Sequence, residues 1–91
     1  MKRLSPQELW SRIKDIIFSG LDSKTLDLWV SPISIKEIKD DRVIVLLVPN
    51  KYFADWLVSN DYVSKIKEVV SMQLGVEADV EFEYIYDIES T

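Results

Sequence analysis

Apolar positions along this chain recur with two different periods, and the places where the period changes mark its elements. Leu9, Ile13, Ile16 and Ile17 fall within one stripe at helical spacing, with Trp10 at its edge and Phe18 well off it among polar positions. Ahead of them, Ser5-Pro6-Gln7-Glu8 reads as a capping box with proline at the first helical position. Gly20 stands where it can cap the other end. A second, shorter helix is predicted behind Asp22 as its N-cap, with Leu26, Trp29 and Val30 on one face and Pro32 ending it after Ser31.

The period then shortens. Ile35 and Ile38 within Ser34 to Lys39 predict a strand with poor alternation, the weaker one and therefore nearer an edge. Asp40-Asp41 supplies a two-residue hairpin turn into Arg42 to Val48, whose run from Ile44 is continuously apolar, as in a strand covered on both faces. Pro49 stops that strand because it has no amide to donate, and Asn50 starts a helix by accepting from the Phe53 amide. Phe53, Trp56 and Leu57 form the inward stripe of that helix, and Lys51 and Tyr52 lie off it, where they could face a partner. Asn60-Asp61 interrupts and recaps; Val63, Ile66, Val70 and Leu74 continue at helical spacing, as one bent helix or two, until Gly75. From Val76 to Tyr86 the alternation is clean, with Val76, Ala78, Val80, Phe82, Tyr84 and Tyr86 on one face and Glu77, Asp79, Glu81 and Glu83 on the other. Residues 87–91 read as the start of a linker or the end of the fragment. The order helix, helix, strand, strand, helix or helix pair, strand predicts an α+β fold, a two-layer sandwich with a three-stranded sheet packed by helices.

Composition narrows the function more than the fold. Ninety-one residues, 47% of them hydrophobic, make one small domain with a sufficient core. With no Cys and no His, disulfides, thiolate chemistry and His-based acid-base mechanisms are excluded, and an intracellular, cytoplasmic protein is expected. No apolar stretch approaches the ~20 residues that span a bilayer, so no membrane role is expected. Sixteen acids against eleven bases leave a net charge of −5, which opposes tight nucleic-acid binding through counterion release.

The search for chemistry returns little. Gly20 and Gly75 are isolated, so no phosphate cradle is present, and Asp40-Asp41 sits in a turn with no complementary acid or base. The acid row Glu77, Asp79, Glu81, Glu83 spreads its carboxylates ~7 Å apart along a strand and does not converge them on a metal, so no metal ligands are expected and a solvated face is. No nucleophile has a base, which argues against an enzyme. The sandwich order is similar to that of KH modules, but the GxxG loop by which those clamp a nucleic-acid backbone does not occur. Lys51 and Tyr52, with Lys65 and Lys67, offer enough charge beside an aromatic for weak single-stranded contact, the alternative function for this KH-like module.

Three stretches then stand together. Trp10 is followed nineteen residues later by Trp29 in Leu28-Trp29-Val30-Ser31-Pro32-Ile33, and these by the corner Val48-Pro49-Asn50-Lys51-Tyr52-Phe53-Ala54-Asp55-Trp56. In order and spacing they resemble the N-terminal domain (domain I) of the bacterial replication initiator DnaA, over Leu4 to about Tyr86, so that residues 1–86 are the domain. The resemblance implies a non-enzymatic docking domain at the front of a longer chain, with ATP bound on a separate ATPase domain and no cofactor here. It implies as partners the replicative helicase, lineage-specific initiation regulators, further copies of the initiator and, weakly, single-stranded DNA. Self-association would use the first-helix edge at Leu9 and Trp10. Helicase and regulator binding would use a patch of Thr25, Asn50, Lys51 and Tyr52. Two departures from the family pattern bear on that patch. Tyr52 stands for a Phe and adds a hydroxyl, and Thr25 stands where the family has an acid, with Asp22 and Asp27 flanking it.

Overall fold

The computed structural model describes residues 5–86, so Leu4 and the expected linker at 87–91 lie outside the described residues. The order of elements is as read from the pattern. The capping box forms: the Glu8 amide donates to the Ser5 hydroxyl at 3.1 Å, and the Ser5 amide to the Glu8 carboxylate at 3.3 Å. It starts α1 (Pro6–Ile17), which buries Leu9, Trp10 and Ile13 and packs against the first strand and the last helix. Ile16 is a correction: it lies in the last turn, beyond the cover of the neighbouring elements, and is 56% exposed. Gly20 is another. Phe18 turns inward and ends the helix itself, donating its amide to the Lys14 carbonyl, and Gly20 has no left-handed φ.

The second helix, α2 (Ser23–Thr25), runs directly into a π-helical turn, Leu26–Val30, closed by the Ser31 amide donating to the Leu26 carbonyl at 2.8 Å. Asp22 takes the extended N-cap backbone, but its side chain makes no capping bond.

Strands β1 (Ser34–Lys39) and β2 (Val43–Val48) pair antiparallel across a turn in which Asp40 and Asp41 both have positive φ, 52° and 57°. That is the mirror-image turn that matches strand twist. A bulge between Ile35 and Glu37 accounts for the poor alternation of β1: the extra residue resets the phase, so that Ile35 and Ile38, three apart, both face the core. Helices α3 (Lys51–Ser59) and α4 (Tyr62–Leu74) are separate. Asn60 caps the end of α3 by donating its side-chain amide to the Trp56 carbonyl at 2.8 Å. Asp61 adopts a left-handed φ of 62° without a capping bond, contrary to the expected recap. Gly75 closes α4 at φ 72°, as expected.

The final strand, β3 (Asp79–Tyr84), lies parallel to β2, giving the sheet order β1-β2-β3. It is shorter than its alternation suggested. Ala78, Val80 and Phe82 pack on the core, whereas Val76, Tyr84 and Tyr86 lie past the helical layer and are exposed. Ser71 of α4 accepts from the Ala78 amide at 2.8 Å and so fixes where the strand begins.

The core lies between the helices and one sheet face, lined by Ile35, Ile44, Leu46 and Val48. Among the described residues no second layer of elements covers the other face of β2. Lys36 and Lys39 of β1 reach across β2 to Glu83 and Glu81 of β3, the second pair at 3.0 Å, on the face where Val45 is only 5% exposed. The acid row is exposed, as expected, and three of its members are also ion-paired, Asp79 to Lys67 of α4 at 3.3 Å.

Candidate functional site

The corner between β2 and α3 is built by its own residues. Val48 ends its strand, Pro49 and Asn50 turn the chain, and the Asn50 side-chain oxygen accepts from the Tyr52 amide at 3.0 Å. The expected bond to Phe53 is not the one formed. Phe53 instead donates its amide to the Asn50 carbonyl at 3.2 Å, as the first turn of the helix begins. Asn50 is therefore half-buried and committed to holding the corner, and what it holds outward is Tyr52, 58% exposed. The Lys51 ammonium stands 5.9 Å from the centre of the Tyr52 ring, a distance at which the cation is attracted to the ring face.

Rigidity behind the corner comes from aromatic packing. Trp29 of the π-helical turn lies 5.3 Å from Trp56, with ring planes 7° apart, and 5.2 Å from Phe53. Trp56 in turn meets Phe18 and Tyr62. Since Phe53 follows Tyr52 and Trp29 lies one turn beyond Thr25, this stack brings the second helix alongside the corner. Thr25 is half-buried, with Asp22 and Asp27 exposed on either side of it.

The other expected residues are not brought into one place. Leu9 is fully buried and Trp10 is 6% exposed, its ring 6.1 Å from that of Phe18. The edge at which Trp10 was expected to reach a second surface is closed. Lys65 and Lys67 are two apart on α4 and so point to different sides; Lys65 stands 5.6 Å from the Tyr62 ring, while Lys67 is paired with Asp79. The three lysines form no single basic stripe.

Two features escaped the pattern analysis. Leu28, 63% exposed, projects from the outer side of the π-helical turn; its one signal was that it is apolar and off the Leu26/Trp29/Val30 face. The chain after β3 also runs along the corner, where the Ile85 amide donates to the Val48 carbonyl at 2.9 Å and the Tyr86 amide to the Pro49 carbonyl at 2.8 Å. Tyr84, Ile85 and Tyr86 are exposed there, at 47%, 51% and 64%. Alternation had assigned both tyrosines to the inner face and so concealed them. The corner surface is thus largely aromatic and apolar, with Lys51 beside the Tyr52 ring, a composition that fits a protein surface better than a phosphate backbone.

Residues 7–72 match the family described as DnaA N-terminal domain. Among curated proteins, the chain is similar to the chromosomal replication initiator protein DnaA of Thermodesulfovibrio yellowstonii, 31% identical over 82% of this chain and 17% of that protein. It is also similar to the DnaA proteins of Kosmotoga olearia, 34% identical over 81% of this chain and 16% of that protein, and of Gloeothece citriformis, 28% identical over 86% and 17%. The chain spans about a sixth of the length of these relatives.

Proposed function

This chain belongs to the DnaA N-terminal domain family, and on that premise we propose that it is the protein-docking domain of a replication initiator. Its corner patch recruits the replicative helicase and the regulators of initiation. The observation that carries this reading is Tyr52, exposed on a corner that Asn50 caps and the Trp29/Phe53/Trp56 stack holds rigid. An aromatic ring held outward at low entropic cost is the kind of group that anchors an interface. Thr25, with Asp22 and Asp27, flanks it from the second helix.

A domain of this size buries a modest interface, so each contact is weak. Strength then comes from several initiators offering their copies together to an oligomeric helicase. Self-association belongs to the same proposal. With Leu9 and Trp10 enclosed, they would support it by holding α1 in place, not by touching the second copy. Sedimentation that finds monomer at every concentration would remove this part.

An amide-resolved NMR titration with the N-terminal part of the same organism's helicase tests the docking role. Shifts are expected around Thr25 and Asn50 to Tyr52, and Tyr52→Ala should weaken binding by about tenfold or more while leaving the melting transition in place. A collapsed transition would return Tyr52 to the core. Shifts produced only by single-stranded DNA, around Lys51, Lys65 and Lys67, would overturn the reading in favour of nucleic-acid binding.

A further inference from the structure

Strand β3 is an edge of the sheet, and its inner side is occupied by β2. The Asp79 amide donates to the Arg42 carbonyl and the Ile85 amide to the Val48 carbonyl, both at 2.9 Å, with parallel register between them. Backbone groups alternate sides along such a ladder, so the N–H and C=O of Val80, Phe82 and Tyr84 point outward. Among the described residues no strand pairs with them.

The opposite edge is different. β1 carries the bulge at Lys36 and a second lysine at Lys39, devices that discourage an added strand. β3 has no bulge, proline or lysine from Asp79 to Tyr84.

Side chains specify what would fit. Asp79, Glu81 and Glu83 line one face with side chains 59%, 54% and 46% exposed. Each has one oxygen on a lysine, and each side chain stays about half exposed to solvent. Val80, Phe82 and Tyr84 line the other face. A second copy of β3 laid antiparallel places Glu81 opposite Glu81 or Glu83, a like-charge arrangement that is destabilising. The net charge of −5 adds to that repulsion.

We propose that the open edge of β3 takes up, by strand addition, an extended segment of another protein in which basic and apolar residues alternate. The basic side chains meet the carboxylates and the apolar ones continue the Val80/Phe82/Tyr84 face. This edge adjoins the corner patch at Tyr84, but it binds through the backbone of β3 and not through the Tyr52 ring, so the β3 amides separate it from the docking role.

The test uses this chain and a short acetylated peptide of alternating lysine and valine, with an alternating glutamate and valine peptide as control. The lysine peptide should slow hydrogen exchange at the Val80, Phe82 and Tyr84 amides by roughly tenfold or more, leaving the inward Glu81 and Glu83 amides unchanged. Tyr84→Pro, which removes an outward amide, should weaken binding by about tenfold, and Tyr84→Ala, which keeps it, by less. Protection at Glu81 reports that each variant is folded, and exchange in the unaltered chain decides the matter if Tyr84→Pro is not. Unchanged exchange with the lysine peptide, or equal binding of the glutamate peptide, overturns the proposal. So does protection of the same amides by a single-stranded oligonucleotide or by self-pairing without peptide.

Discussion

Phe18 lies off the apolar stripe of α1 and is nonetheless fully buried, because the helix ends under it and its ring enters a cage of Trp10, Trp56 and Tyr62. A helical wheel cannot locate a residue that has left the helix. Trp10 is set by the same cage. Trp10→Ala should therefore destabilise the fold by about 3–5 kcal/mol, seen as a lowered denaturant midpoint, beyond any change in self-association. A variant as stable as the parent would mean that the ring is not part of the core. The two glycines also part company. Gly75 sits at φ 72°, where a Cβ is strained, whereas Gly20 has an ordinary φ and nothing within 4 Å of an added Cβ. Gly75→Ala should cost about 1 kcal/mol, and Gly20→Ala should be neutral or stabilising by about 0.5 kcal/mol, as read by chemical denaturation. Sequence alone read both as helix caps; only the dihedral separates them.

At the scale of elements, local rules worked where the partner group lies within a few residues. The Ser5/Glu8 box, the stop at Pro49 and the Gly75 cap are all contacts of short range, and each is present. The hairpin turn is present too, yet Asp40 and Asp41 both occupy left-handed backbone that aspartate tolerates less well than Asn-Gly. Replacing the pair with Asn-Gly should raise stability by about 0.5–1 kcal/mol, measured by thermal melting; a lower melting temperature would mean that the aspartate side chains hold the turn. Asp22 and Asp61 show the limit of these rules. Both stand at N-cap positions, and neither side chain makes the expected bond.

For the whole molecule, the open face of the sheet is where charge and packing meet. Glu83 and Glu81, each hydrogen-bonded to its lysine, raise the affinity of Lys36 and Lys39 for their protons. A lysine whose pKa is raised on folding contributes stability that is fully present below its unfolded pKa of about 10.4 and is lost as pH rises through the folded value. Melting temperature should accordingly fall at strongly alkaline pH. Lys36→Met with Lys39→Met keeps the aliphatic stems, expected to lie over Val45, and should flatten the part of that fall due to these pairs, while the double alanine variant should melt lower even at neutral pH. Equal melting of the methionine and alanine variants would show that the stems do not cover Val45.

Local sequence set the order of elements, the Ser5/Glu8 box, the stop at Pro49, the Gly75 cap and the outward position of Tyr52, because periodicity and capping act over one or two turns of chain. Packing in three dimensions settled the rest: that Trp10 and Phe18 are enclosed, that Ile16, Tyr84 and Tyr86 are not, and that Glu81 and Glu83 are paired across a strand. Burial depends on which element lies overhead, and an ion pair from β1 to β3 joins residues more than forty positions apart. Neither is written in the spacing of neighbours: the first needs the aromatic cage that α1, α3 and α4 build around Phe18, the second the parallel pairing of β3 with β2.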